Sequence, residues 1–271
     1  VDTVIQNRQN SNNNAEVRHK VNQRLRQTSD GIDMDAEPTV LSSQTVYQGA
    51  IFHVDDMRIA LNREKLDLDG SSAQYGEQGI EATEHGGLEA APRPNDVVEG
   101  NGGNGFGSHG QSSDQVVIRR QVVRHAGSVV MLSHDTVHDL YLIEREYRVG
   151  SGGFVYGLPA GLIDGDENIE VAALRELREE TGIEPVEDHP FDFETIASCY
   201  LSEGMSSECS NIMAVRMGQW RRGERHFDPD EHVQSAWVNW DELAALEFKG
   251  AQVIIALQYE QLRRLRAGLI S

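Results

Sequence analysis

Three glutamates spaced to share one turn of a helix, Glu176, Glu179 and Glu180, constrain this chain more than any other feature. They close the run Gly161-Leu-Ile-Asp-Gly-Asp-Glu167-Asn-Ile-Glu-Val-Ala-Ala-Leu-Arg175-Glu176-Leu-Arg-Glu179-Glu180-Thr-Gly182-Ile183. Val171, Leu174 and Leu177 recur at spacings of three, which predicts a helix from Asn168 to Thr181 with an apolar stripe. Asp164 or Asp166 can cap its start, and Gly182 is placed just past its end. Spacings of three and four bring the three carboxylates out on one face. Charges of one sign held that close repel, and a hard divalent cation bound through oxygen relieves them. Mg²⁺ takes few carboxylates, with water and phosphate oxygens completing its shell. Arg175 can pair with Glu179 one turn on and with Glu167 across the preceding loop. A solvated acidic helix face is the plain alternative. The loop Leu158-Pro159-Ala160-Gly161 and Glu167, set at fixed distances ahead of the helix, separate this stretch from that ordinary case.

Composition narrows the class further. At 271 residues the chain has length for one large or two small domains with a buried core. Its net charge is −20 and its pI about 4.8, with no basic stripe, which argues against nucleic acid as a partner. Cys199 and Cys209 form neither a C-x-x-C pair nor a cysteine–histidine cluster, so no structural zinc is expected and a reducing compartment fits. No apolar run approaches the ~18 residues of a membrane span. The polar start also lacks the layout of a secretory signal. The expectation is a soluble cytoplasmic protein with no membrane partner.

Along the chain, residues 1–42 are rich in Asn, Gln, Ser and Arg and read as a disordered polar tail. Residues 43–66 form a β element: Thr45–Val54 and Met57–Leu61 have the β-branched and aromatic content of two short strands. Residues 67–114, rich in Gly, Ser and Glu, read as a flexible insert. The main domain, 115–271, has strands predicted at Val116–Val123, through to Leu132, at Leu140–Ile143 and at Arg145–Arg148. Further strands are predicted at Ile196–Leu201, Asn211–Met217 and Ala236–Trp240. An amphipathic helix over 251–266 closes it, with its basic end at the favourable C-terminus. The order predicts an α/β (α+β) fold, a mixed sheet between helices.

Written as G-x5-E-x7-R-E-U-x-E-E-x-G-U, with U aliphatic, the acidic run resembles the box of the Nudix hydrolases. Gly161, Glu167, Arg175 and Gly182 fill its structural positions. Over about 45–61 and 115–266 the chain is similar to the ADP-ribose pyrophosphatase branch of that family. The similarity rests on Val46-Tyr-Gln-Gly-Ala-Ile-Phe52, Val123-Arg-His-Ala-Gly-Ser-Val-Val130, Glu146-Tyr147-Arg148 and the motif Leu158 to Asp164. The resemblance implies a Nudix-type mixed sheet between helices, with a short N-terminal β element. It implies Mg²⁺, with Mn²⁺ as a substitute, held by the Ala160 carbonyl, Glu176 and Glu180. Glu179 would be a further ligand or act through water. Ser206-Ser-Glu208-Cys-Ser-Asn-Ile-Met-Ala214 resembles the late loop and strand, so Glu208 would activate the attacking water or join the metal shell. Glu203 competes with it for that catalytic role. Arg124 and Arg148 are the candidate substrate-binding residues, with a surface salt bridge as the alternative for Arg148. The branch also implies a homodimer built through the early strands.

Two departures bear on the substrate. Gly157 stands where the branch usually has a glutamate, and no Pro-Gly precedes the late glutamate, the loop reading Leu201-Ser-Glu203-Gly204-Met205. The implied activity is hydrolysis of the pyrophosphate bond of ADP-ribose or a related nucleotide sugar. GDP-mannose, UDP-glucose and an oxidised nucleoside diphosphate are alternative substrates. A catalytically silent, nucleotide-sensing module is the alternative of another class, and retention of every box glutamate stands against it.

Overall fold

The computed structural model of the chain describes residues 15–64, 114–186, 189, 191–226 and 232–270. The first part of the expected tail, 1–14, and nearly all of the expected insert at 67–114 lie outside these residues. The described residues form two compact units. One is drawn from those up to Leu41 and from Ile59 to Ile118, the other from Ser42–Arg58 and from Arg119 onward.

In the first unit, residues 15–26 are helical (α1), where a structureless tail was expected. Helix formers such as Glu16, Arg18, Lys20 and Leu25 occupy this stretch, and Lys20 pairs with Glu16 one turn back at 2.6 Å. Ile32 is buried and bridges to Arg63 as an isolated β pair. The early strands are longer than expected: β1 (Thr39–Gln48), β2 (Phe52–Asn62) and β3 (Gln115–His125) form a three-stranded sheet in that order, with Ser42–Gln48, Phe52–Arg58 and Arg119–His125 belonging to the second unit. The chain turns between β1 and β2, Gly49 N–H donating to Phe52 O at 2.9 Å. A single strand across 45–54 is therefore excluded.

The second unit holds the strands β4 (Ser128–Asp135), β5 (Leu140–Arg148), β6 (Gly153–Gly157), β7 (Ala160–Leu162), β8 (Ile183–Pro185), β9 (Phe191–Tyr200), β10 (Cys209–Met217), β11 (Trp220–Arg222) and β12 (Gln234–Asn239). Its helices are α2 (Ile169–Thr181), α3 (Trp240–Ala245) and α4 (Ala251–Arg266). Seven strands make one mixed sheet in the order β12-β5-β4-β10-β9, with β6 beside β5 and β7 beside β4; β8 and β11 form a separate ribbon. The β4–β10 pair is parallel, and the sheet's pairings of β5 with β4, β6 and β12 are antiparallel.

β4 is buried from end to end because the sheet is covered on both faces. Val129 and Met131 pack with Leu142, Met213 and the α2 residues Ala172, Ala173 and Leu177. Val130 and Leu132 pack on the other side with Tyr141, Ile143 and Ile212, against Leu243 of α3 and Val253 and Ala256 of α4. The result is the mixed sheet between helices that the element order implies. The expected helix at 251–266 is α4, whereas Trp240, expected at the end of a strand, opens α3 behind the Asn239 capping box.

A buried polar network pins α4 to the sheet. Arg264, 5% exposed, donates to both oxygens of Asp139 at 2.8 Å and to the Tyr141 hydroxyl at 2.9 Å, and lies over the Trp240 ring. Arg263 and Tyr141 both donate to the buried Glu260. Removing a partner from such a network strands the others. Arg264→Ala is expected to cost about 2–3 kcal/mol of unfolding free energy by urea titration, discounted because Asp139 is half exposed. The Arg264 hydrogen bonds hold the Asp139 carboxyl at about 2, below its ordinary 3.8. A depressed folded-state pKa stabilises above the unfolded value and is lost as pH falls through the folded one. The gap between the two proteins should therefore narrow from pH 4 down to 2.

Candidate active site

Helix α2 delivers the acidic residues. Its cap is Asn168, whose side-chain oxygen accepts from Glu170 N at 2.8 Å, and not Asp164 or Asp166. Asn168 has the extended backbone of a cap and stands immediately before the first helical residue, so its side chain reaches the free amide that the earlier aspartates do not. The buried face also differs from the expected stripe: Ala172, Ala173 and Leu177 face the sheet, while Val171 is 56% exposed. Small alanines let the helix approach the sheet closely and leave the carboxylates on its flank. At the far end Gly182 adopts φ 73° and donates to Arg178 O at 2.8 Å. A Cβ there would lie 2.6 Å from Gly223 O, so both the turn and the packing require glycine.

The Ala160–Gly161 segment, expected as loop, is strand β7, with Ala160 opposite Val130 and Gly161 opposite Val129. This pairing fixes the segment against α2. Ala160 N–H donates to the Glu180 carboxylate at 3.1 Å. Gly161 sits directly under the Glu176 carboxylate, which a Cβ on residue 161 would meet at 1.9–2.4 Å. Glu176 and Glu180, one turn apart, thus grip the same two residues.

Arg175 ties the box together. It donates to both oxygens of Glu167 (3.1 and 2.8 Å), to Leu162 O (2.9 Å), to Glu176 (2.8 Å) and to Glu179 (3.2 Å). Glu167 first, then Glu176 and Glu179, hold its guanidinium firmly charged. With Arg175 drawing Glu176 and Glu179 toward itself, no three His, Cys, Asp or Glu side chains among the described residues already converge as a metal cage.

One carboxylate of the site has no precedent in the sequence reading. Glu144, on β5, is 2% exposed, and no hydroxyl or N–H of the described residues donates to either of its oxygens. It lies against Glu180, which is 6% exposed. Burial pushes both carboxyls well above the usual range. The charge of Glu144 adds to the rise at Glu180, and that of Glu146 to the rise at Glu144. The only sequence signal was a glutamate directly after the apolar run Leu140–Ile143, two residues beyond Leu142 and so on the strand face that meets α2.

The remaining expected residues divide. Glu208 is half-buried immediately before β10, where its carboxylate accepts from the Ser128 hydroxyl at 3.2 Å. Ser128 pairs with Leu162 of β7 on one side and Ser210 of β10 on the other, so Glu208 stands beside the strand that carries the Ala160–Gly161 grip. Glu203 lies in an exposed turn five residues earlier. Arg148 ends β5, half exposed and paired with Glu146, the salt-bridge alternative. Arg124 bonds Asp55 at 3.2 Å and lines a cleft of about 400 Å³ with Phe52, His53, His125 and Ser207, the residue next to Glu208.

The NUDIX domain model matches residues 123–257, about half of the chain, and covers every box residue and Glu208. This chain belongs to the Nudix family. Its fold is also that of a crystal structure of ADP compounds hydrolase, at TM-score 0.53 and 19% identity, covering 87% of this chain and 98% of the other. The methanol dehydrogenase activator of Bacillus methanolicus is 29% identical over 151 residues, 54% of this chain and 77% of the relative. The ADP-ribose pyrophosphatase of Bacillus subtilis is 27% identical over 149 residues, again 54% and 77%. The protein is a Nudix hydrolase, and hydrolysis of nucleoside diphosphate compounds is the chemistry that its family and relatives support.

The donor set of this Nudix site suits a hard divalent cation. The buried carboxylates of Glu180 and Glu144 offer oxygen ligands without competing sulfur or imidazole. Among the described residues no helix is long and apolar enough to cross a membrane.

Proposed function

We propose that the protein is a Mg²⁺-dependent pyrophosphatase that splits ADP-ribose into AMP and ribose 5-phosphate. The observation that carries this reading is the grip of Glu176 and Glu180 on Ala160–Gly161, clamped by Arg175. The relatives named ADP-ribose pyrophosphatase support the choice of substrate. Glu176, Glu180 and the Ala160 carbonyl would hold the cation, with Glu179 as a further or water-mediated ligand. A bound divalent ion would neutralise the diphosphate and acidify a coordinated water. Glu208 takes the water's proton, a role its half-buried place beside Ser128 suits better than the exposed turn suits Glu203. The Arg124 cleft is the proposed nucleotide side, with Phe52 offering a ring for the base and Arg124 a charge for phosphate.

The proposed homodimer is supported by Val46, Tyr47 and Ile51, which expose large apolar side chains on the early hairpin. Cys199 and Cys209 are both free thiols, which suits the proposed cytoplasmic location.

The deciding experiment incubates the pure protein with Mg²⁺ and ADP-ribose beside a panel of nucleotide sugars and separates the products by chromatography. AMP and ribose 5-phosphate are expected; no turnover of any compound at any metal concentration would sink the reading. In the same assay Glu208→Gln is expected to lower kcat by about 10²-fold, within the usual worth of a general base. Glu203→Gln should stay within about twofold, as surface changes do. The reverse ranking would transfer the role to Glu203.

A further inference from the structure

We infer that Glu144 contributes a further carboxylate to the divalent-cation site, from the sheet and opposite the box helix. The inference deepens the cation reading above and rests on it.

Glu144 follows Leu142 by two residues on β5, so both side chains leave the strand on the face that packs against α2. There its carboxylate meets that of Glu180, with which it can share a single proton, and no hydroxyl or N–H of the described residues donates to either Glu144 oxygen. A polar group buried without a partner costs several kcal/mol, and a charged one more. A structural glutamate in this position would be expected to hold a donor, as Glu260 holds Tyr141 and Arg263 in the same domain. A divalent cation held by Glu144 and Glu180 would supply the positive partner that their buried oxygens lack.

The neighbourhood leaves space for it. Across the β5–β6 pair Glu144 stands opposite Gly157, and directly opposed residues project to the same face of a sheet. A Cβ at Gly157 would meet nothing within 4 Å, so no side chain fills the slot beside Glu144. Burial and the charge of Glu146 oppose ionisation of Glu144, while a hydrogen bond shared with the Glu180 carboxyl and the charges of Arg148 and Arg225 favour it, and neither arginine donates to its oxygens.

The test titrates the metal-free full chain with Mn²⁺, counting free ion by electron paramagnetic resonance, for wild type, Glu144→Gln and Glu144→Val. Both variants are expected to weaken Mn²⁺ binding by about tenfold or more. Their metal-free melting temperatures should equal or exceed that of wild type, because one of two abutting buried carboxylates is removed. Unchanged Mn²⁺ affinity in both variants overturns the inference, and so does a glutamine variant that keeps wild-type affinity. The second outcome would mean that Glu144 only orients Glu180 through a neutral hydrogen bond. Wild type that takes up no Mn²⁺ removes the cation reading and this inference with it. A chain that binds Mn²⁺ through Glu144 yet leaves ADP-ribose intact fails only the substrate reading.

Discussion

Glu180→Gln is expected to lower kcat for the pyrophosphate substrate by about 10³-fold, roughly 4 kcal/mol of barrier. Glu180 is the most buried of the three box carboxylates at 6% exposure, and its protein donor is the Ala160 amide. A glutamine fits the same volume and leaves the packing of Ala172, Ala173 and Leu177 in place. It removes the charge that a cation needs and also turns an N–H donor toward its neighbours. The metal-free protein should remain folded and even gain stability, since one of two abutting buried carboxylates is gone. Steady-state kinetics with a melting curve of the same preparation checks both halves. Near-normal turnover would remove Glu180 from the ligand set, and a collapsed melting curve would make its role structural.

The second large effect belongs to a residue with no functional group. Gly161→Ala is expected to reduce kcat by about 10²–10³-fold while shifting stability by little more than about 1 kcal/mol. The added methyl would lie 1.9 Å from Glu176 Cδ and 2.2 and 2.4 Å from its two oxygens. Gly161 is not in the left-handed region, so alanine meets no backbone strain there. What yields is the mobile end of the Glu176 side chain. The methyl therefore evicts a proposed ligand without disturbing the sheet, and Mn²⁺ affinity should fall together with turnover. Activity within about threefold of wild type would show that Glu176 works from a position that the methyl does not reach.

These two effects were not equally legible in the sequence. The box helix showed itself because carboxylates at three- and four-residue spacing, Arg175 and Gly182 all answer to one period. Helix α4 was visible for the same reason, as apolar residues every three or four over 251–266 fit no strand. Strands β6 and β7 were missed because Gly153-Phe-Val-Tyr-Gly157 and Ala160-Gly-Leu162 are short and glycine-rich, and their pairing comes from β5 and β4. Glu144 was invisible on similar grounds. β5 is buried on both faces, so its apolar run lacks the alternation that would assign each residue a side. Only the register of the sheet reveals that this glutamate faces Glu180. Arg148, a substrate candidate by its motif with a salt bridge as the alternative, pairs with Glu146 in the folded chain, a contact that no periodicity signals.

The location of these parts along the chain has a consequence for how such a protein can diversify. The grip and its clamp occupy one unbroken stretch, 160–182, in which β7, the loop and α2 form a compact strand–loop–helix unit. The Arg124 cleft is assembled from residues near 50, 124 and 207, contributed by three separate segments of the chain. If the cleft is the nucleotide side, as proposed, substitutions in those segments would reshape what is recognised without touching a bond that holds Glu176 and Glu180 in place. The cutting unit is inherited whole, while its choice of molecule stays open to gradual change.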